Sequence, residues 1–365
     1  MTRRLCLIIP TLDRGGAEKQ LTLLAAGLPR DQFDPHVVLL TRDGPRREAL
    51  DAAGIPVTLV GKRFKADPSA YWRLKRILRE LNPDIVHTWI FAANSYGRAA
   101  AAAINVPVVI GSERCVDPWK TSRHFFIDRY LAKKSAAITT NSSGVSDFYA
   151  AHGIPAERFR IIPNGIQPAQ VEPIDRTEAY RRLNVDPERH LILAVGRLWA
   201  QKRYRDLVWG GQMLGELRRD TTLVIIGDGP QRAELLRYRD AATLPKRVQF
   251  AGSRSDIQQL LPHSKAFWIG SEYEGQSNAV MEAMQMGVPV VASDIPGNRD
   301  LVIDQQTGYL RPLGDPAGFA QVTNMIIEDP DRAKAMGAAG QQRIAEHFSV
   351  SQMIRKHIEL YNEFS

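Results

Sequence analysis

Cysteine is nearly missing from this chain of 365 residues: it has two, Cys6 and Cys115. Cys6 falls inside an apolar run that reads as a strand, so a disulfide scaffold is not expected and a reducing cytoplasm is the default setting. No cluster of cysteine and histidine has zinc-ligand spacing, and no metal site is expected. Long apolar runs are lacking too. None approaches the roughly 20 residues of a membrane-spanning helix, and LCLIIP behind MTRR is too short for the core of a secretion signal. The dinucleotide fingerprint G-x-G-x-x-G does not follow the first strand, which takes support from a nicotinamide enzyme.

What is present is ordinary in amount and uneven in place. Hydrophobic residues make up 44% of the chain, enough for real cores, and the length suggests two domains. Of the net charge of +8, the first 175 residues carry +7 and the remainder +1. An anionic partner for the first half is implied: phospholipid, nucleic acid or an acidic acceptor. Because no nucleic-acid motif accompanies the basic excess, nucleic acid is not expected.

Strand-like runs alternate with helical stretches. Leu5–Ile9, Val37–Leu40, Val57–Val60, Ile85–His87, Val108–Ile110, Ala137–Thr140 and Arg160–Ile162 form one series. Leu191–Val195, Leu223–Ile226, Val248–Phe250, Ala266–Ile269 and Val288–Ala292 form a second, after a linker at Gln167–Thr177. Such alternation implies parallel sheets covered by helices, an α/β chain of two doubly wound domains. The expected division is 1–170 and 171–349, followed by helical periodicity over 350–365. Ligands of such sheets bind beyond the carboxyl ends of the strands.

Three segments place chemistry at those ends. After the first strand, Gly15 and Gly16 precede a helix, where a backbone can approach a ligand and a helix N-terminus favours an anion. After Leu191–Val195 come Gly196, Arg197 and, five residues on, Lys202, cations suited to phosphate. Ala266–Ile269 leads into GSEYEGQSNAVMEAMQMG, with Glu274 in a loop, Ser277-Asn278 as a helix start, Glu282 about a turn inside and Gly287 as the stop. Spacing alone would suit two solvated glutamates, so the surrounding string has to decide. Gly227 in IIGDGP and the segment near Gly252–Arg254 add two further turns.

That string, EG, SN, EAM and GVPVVAS around Glu274 and Glu282, resembles the Glu-x7-Glu signature of the retaining GT-B glycosyltransferases of sugar-transferase family four. GGAEK, DIVH, IIPNG, VGRL…QK and IIGDGP resemble the family's other segments in the same order, over nearly the whole chain. The resemblance implies the GT-B fold, two Rossmann-like domains facing an interdomain cleft, with acceptor on the first and nucleotide-sugar donor on the second. It also implies that the last helix, 350–365, packs back on the first domain. It implies a retaining, metal-independent transfer of a hexose-type sugar from a nucleotide-diphosphate sugar, without a cofactor, to a glycan or lipid-linked acceptor. A surface polysaccharide, lipopolysaccharide or glycolipid pathway at the inner face of the cell membrane follows. Carried over, Arg197 and Lys202 bind the donor diphosphate and Glu274 faces the sugar. Glu282 meets the ribose, and Gly15, Gly16, Gly196, Gly227, Gln276, Ser277 and Asn278 line the donor site.

The acceptor side departs from the pattern. Where many members carry a histidine after a strand, this chain reads Ser112-Glu113-Arg114, so Glu113, Arg114 and the separate His87, near Asn94, stand as acceptor-side candidates. Two basic, aromatic stretches, Tyr71–Leu81 behind Lys62, Arg63 and Lys65, and Trp119–Lys134, suit an anionic membrane or a lipid-linked acceptor. Each also suits a helix that simply covers the sheet. Two rival functions share these features: a nucleotide-sugar epimerase of the same fold and a binding protein without turnover.

Overall fold

The computed structural model describes residues 2–364. The chain forms two compact units. One comprises the residues up to Gly165 together with those from Phe348 onward, and the other is Ile166–His347.

In the first unit seven strands lie parallel: β1 (Arg3–Ile9), β2 (Phe33–Leu39), β3 (Val57–Leu59), β4 (Ile85–Trp89), β5 (Val108–Glu113), β6 (Ala137–Thr140) and β7 (Phe159–Ile161). Their spatial order is β3-β2-β1-β4-β5-β6-β7, so the winding reverses between β1 and β4. The helices are α1 (Gly16–Gly27), α2 (Arg47–Ala52), α3 (Pro68–Leu81), α4 (Ile90–Ala102), α5 (Ser122–Ala132) and α6 (Ser143–Ala151). Crossovers that run from β3 towards β7 carry α3 to α6 onto one face, and those that run the other way carry α1 and α2 onto the opposite face.

The second unit opens with α7 (Arg176–Leu183) and has six parallel strands: β8 (His190–Val195), β9 (Thr221–Ile226), β10 (Val248–Gly252), β11 (Ala266–Ile269), β12 (Val290–Ser293) and β13 (Gly308–Arg311). Their order is β10-β9-β8-β11-β12-β13, with the reversal between β8 and β11. Its other helices are α8 (Tyr204–Leu217), α9 (Arg232–Ala242), α10 (Ile257–Leu260), α11 (Asn278–Gln285), α12 (Pro296–Arg299), α13 (Pro316–Glu328) and α14 (Pro330–His347). The strand β13 goes beyond the sequence reading.

The last helix, α15 (Val350–Glu363), returns to the first unit and packs on α1. Ser349 caps it, accepting from the Gln352 amide. It buries Met353, Leu360 and Tyr361 in the same core as Leu21, Leu24 and Phe33, and the Tyr361 ring lies 5.6 Å from that of Phe33. Each such burial contributes about 1.5–3 kcal/mol. Ser365 lies outside the described residues.

The expected linker is not a free tether. Its Gln167, Glu172 and Ile174 carbonyls accept from the side chains of Gln285, Gln259 and His263, lacing it to the second unit. Arg176 already belongs to α7.

Candidate functional site

In the second unit the reversal lies between β8 and β11, and the two strands lead into the segments that carry Arg197, Lys202 and Glu274. A doubly wound sheet opens a crevice at such a point, since neighbouring crossovers diverge to opposite faces.

Glycine decides how the turns there fit together. A Cβ at Gly227 would stand 1.9 Å from the Gly196 carbonyl oxygen. Any side chain at that position would push apart the turns that follow β8 and β9. The Gly227 amide donates to Gly252 at 2.8 Å, and the Gly196 amide donates to Ile226 at 3.0 Å, so the ends of β8, β9 and β10 are closed together. Leu198 then exchanges backbone bonds with the next turn: its amide donates to Asp228, and its carbonyl accepts from Gln231.

Gln201 brings the segment after β8 to the segment after β11. Its carbonyl accepts from the Glu272 amide at 2.8 Å, and its side-chain amide donates to the Tyr273 carbonyl at 2.6 Å. Lys202, the next residue, forms an ion pair with Glu274 through Oε1. Ser271 Oγ donates to the same oxygen at 2.7 Å. From the other side, a Cβ at Gly297 in α12 would meet the Gly275 carbonyl at 1.9 Å, so α12 lies directly against the Glu274 loop. Ser293 at the end of β12 donates to the Ser271 carbonyl at 2.5 Å, and Asn298 donates to Ser293. Glu274 is thus held from three strands.

Both partners remain reachable, with side-chain exposures of 19% for Lys202 and 10% for Glu274. Burial, with the Glu274 carboxylate adding to it, pushes the Tyr204 phenol above its usual range, so Tyr204 stays neutral beside the pair. Arg197 is exposed, and its guanidinium stacks on Trp199, 4.3 Å from the ring centre. The structure therefore joins Lys202 to Glu274 and leaves Arg197 facing solvent two residues past the end of β8. Ser277 caps α11 as the sequence implies, accepting from the Val280 amide, and Gln276 is buried beside it. Asn278 and Glu282 are half-buried, at the first and fifth positions of α11.

In the first unit Gly15 caps α1 and Gly16 begins it. Glu18, four residues into GGAEK, accepts from Thr11 Oγ1 at 3.2 Å, and burial raises its pKa.

The acceptor-side candidates need correction. His87 is wholly buried. Its Nδ1 pairs with the Tyr361 hydroxyl at 2.9 Å and its Nε2 with Thr139 Oγ1 at 3.3 Å. Burial first, then His357 and Arg114, hold its pKa well below the usual range, so it is a neutral tie between β4, β6 and α15. Asn94 is buried as well, bound to Thr88 and the Ser112 carbonyl. Glu113 is a residue of β5 rather than of the following loop, and it faces a buried ion cluster. There Lys120 Nζ lies 2.9 Å from Asp128, 2.8 Å from the Tyr149 hydroxyl, 3.5 Å from Asp117 and 3.7 Å from Glu113. Arg98 pairs with Asp128 at 3.1 Å. Burial raises the Glu113 pKa to about 7 against the pull of Lys120. Burial also opposes the Lys120 charge, but Glu113, Asp128 and Asp117 more than offset it and leave its pKa raised. Arg114 is buried too, bonded to Asn164 and stacked on Trp89 at 4.7 Å.

Sequence reasoning missed Ser271, Gln201, Gly297 and the Lys120 cluster. The Q of the QK pair was the one local signal for Gln201. The others depend on partners distant in the chain.

Comparison with known proteins bears on the family and the fold. The family model for glycosyl transferases group 1 matches residues 175–343, and that for glycosyltransferase family 4 matches residues 14–170. The chain is 26% identical to the UDP-Gal:alpha-D-GlcNAc-diphosphoundecaprenol alpha-1,3-galactosyltransferase of Escherichia coli, over 92% of this chain and 90% of that protein. It is 27% identical to the 2-deoxystreptamine glucosyltransferase of Streptomyces kanamyceticus, over 93% and 92%. In fold it is similar to Anabaena Alr3699/HepE, solved in complex with UDP-glucose, with a TM-score of 0.89, 22% identity and coverage of 99% and 100%.

Proposed function

Since the chain belongs to the glycosyl transferases group 1 and has the GT-B fold, we propose that it moves a hexose from a nucleotide-diphosphate sugar to a glycan or lipid-linked acceptor with retention of anomeric configuration. The observation that carries this reading is the Lys202–Glu274 pair at the reversal between β8 and β11. A departing nucleoside diphosphate gains negative charge as the sugar bond breaks, and a fixed ammonium stabilises that charge more in the transition state than in the ground state. Lys202 has three N–H donors, so it can hold Glu274 and a phosphate oxygen together. Arg197, with no carboxylate bound to it among the described residues, supplies a second cation by turning off Trp199. Glu274, fixed by Ser271 and Lys202, faces the sugar, and Glu282 meets the ribose.

The reaction needs no metal, because the two cations take the place of one. Its setting is the inner face of the cell membrane, in synthesis of a surface polysaccharide or lipopolysaccharide. The Escherichia coli relative, whose named substrate is a diphosphoundecaprenol-linked sugar, supports a lipid-borne acceptor.

Incubation with a panel of UDP-, GDP- and ADP-sugars, with and without acceptor lipid extract, tests the reading. Transfer that needs acceptor, survives EDTA and gives an axial anomeric linkage by NMR from an axially linked donor is expected. Epimerised nucleotide sugar formed without any acceptor would replace the transferase with an epimerase. Turnover undiminished in Glu274→Ala would remove the proposed site.

A further inference from the structure

Exposed aromatic side chains are not scattered over the first unit. Trp119, Phe126 and Tyr130 are 54%, 65% and 57% exposed, and Ile127 joins them at 40%. They lie in α5 or in the loop before it. Phe64 and Trp72, 59% and 63% exposed, lie in the loop before α3 and in its second turn. The helices α3 and α5 flank α4 in one helical layer, and each packs on it.

The charges around these residues are mostly of one sign. Residues 118–134 contain five Lys or Arg and a single acid, Asp128; residues 62–79 contain seven and a single acid, Asp67. Both acids are fully buried. Asp128 pairs with Lys120 and Arg98, and Asp67 caps α3 through the Ala70 amide. Asp117, just before the second segment, is the one partly exposed carboxylate beside Trp119, and its charge is met by Lys120 and by hydrogen bonds from Tyr149 and Trp119. Apart from it the surface of both segments is cationic, and Arg123, Lys133, Lys134, Arg63, Lys65, Arg76 and Arg79 are all exposed. Glu80, at the far end of α3, is exposed and pairs with Arg76.

Trp119 is held in its outward position. It meets Phe91 edge-on at 5.2 Å and His124 at 5.4 Å, while its indole N–H donates to Asp117 at 3.0 Å. Beneath it Lys120 is fixed by its three carboxylates and lies 4.7 Å from the Phe91 ring centre. An aromatic residue braced in solvent loses little entropy when it inserts into a lipid headgroup layer, where Trp and Tyr rings are favoured.

From this pattern we infer that the α3–α5 face of the first unit is a docking surface for an anionic phospholipid bilayer. Phe126, Ile127, Tyr130, Trp119, Trp72 and Phe64 enter the interface, and the basic residues meet the lipid phosphates. The helices of a parallel sheet start at the carboxyl ends of its strands, so the Trp119 and Phe64 loops lie at the end of the sheet where ligands bind. A bilayer held there delivers the head of a lipid-borne acceptor to that end. This purpose rests on the transferase reading, but the binding itself does not.

Vesicle flotation tests the surface with the full chain. Vesicles of phosphatidylcholine with phosphatidylglycerol should carry the protein at low salt, and pure phosphatidylcholine should carry far less. Replacing Phe126, Ile127 and Tyr130 together by Ser should lower the vesicle partition coefficient at least tenfold with an unchanged melting temperature, since all three side chains already face water. Reversing Arg123, Lys133 and Lys134 to Glu should lower it by roughly fivefold per residue or more. No flotation of the wild type at low salt overturns the inference, as does flotation that both variants leave intact. A wild-type dimer that the serine variant splits, with no vesicle binding, assigns the face to a second copy and overturns it too. Flotation needs no turnover, so a protein that floats but transfers no sugar refutes the function and leaves the docking surface in place.

Discussion

The carboxyl strand ends of the two units use charged residues in opposite ways. In the second unit Lys202 and Glu274 pair in a partly open position, and Arg197 pairs with no carboxylate among the described residues and stacks on Trp199. In the first unit Glu113, Lys120, Asp128 and Arg98 pair in the interior, and His87 is consumed by Tyr361 and Thr139. One set is arranged to meet a ligand, and the other fixes strands and helices. Position beyond a strand does not by itself separate the two. Whether the partners already satisfy one another in the interior does.

The sharpest way to break this contrast is Lys120→Ala. It leaves Asp128 and Glu113 buried without their ammonium, and loss of one partner of a buried pair costs about 3–5 kcal/mol. Denaturant unfolding should show the first unit losing that much, with the second unchanged. Lys202→Ala is the counterpart in the other unit. It should lower the transfer rate by about 10²–10³, on the order of 3 kcal/mol of barrier, with a melting temperature close to wild type. A large stability loss there would make Lys202 as structural as Lys120.

Acid separates the two units in a further way. Glu113, its pKa raised to about 7, keeps its proton in the folded protein between about 4.5 and 7, where the unfolded chain releases it. It therefore adds stability as pH falls through that window. His87 and His357, lowered chiefly by burial, stay neutral while the unfolded chain takes up protons below about 6.5. Each of these subtracts stability as pH falls. Between pH 4.5 and 6.5 these three groups give a net of one proton in wild type and two in Glu113→Gln, on top of the shares of His36, lowered by burial, and Glu18, raised by it, which the substitution leaves alone. The acid slope of first-unit stability should steepen by about 1.4 kcal/mol per pH unit in Glu113→Gln relative to wild type, as read by urea unfolding across that range. An unchanged slope would remove Glu113 as the opposing group. The smallest effect is that of His87→Gln, about 1–2 kcal/mol of stability through the Tyr361 and Thr139 bonds, with the transfer rate unaltered. A rate loss exceeding tenfold would return His87 to the acceptor site.

Local patterns were legible in the sequence, and distant pairings were not. Ala137–Thr140 and Ala266–Ile269 read as strands because short apolar runs between breakers have few other uses. Gly308–Arg311 did not, since a glycine start and one leucine beside a tyrosine give no run to see. Ser277 announced α11 because a cap and its helix are adjacent in the chain. The motif text expects Lys202 and Glu274 close together, and their side chains form an ion pair. His87 looked available because its partner Tyr361 lies 274 residues on, and nothing local reports that. Glu113 looked like a loop residue because β5 runs past its apolar part into Ser112 and Glu113, whose company is polar but buried.

The return of α15 to the first unit has a consequence for how the chain is made. The sheet that holds His87 and Phe33 is synthesised early, yet the helix that covers them emerges only after all of Ile166–His347 has left the ribosome. The second unit, continuous in the chain, can fold as soon as it appears, while its older neighbour waits with an uncovered apolar flank. A chaperone that samples nascent chains should therefore linger on the half that was translated first.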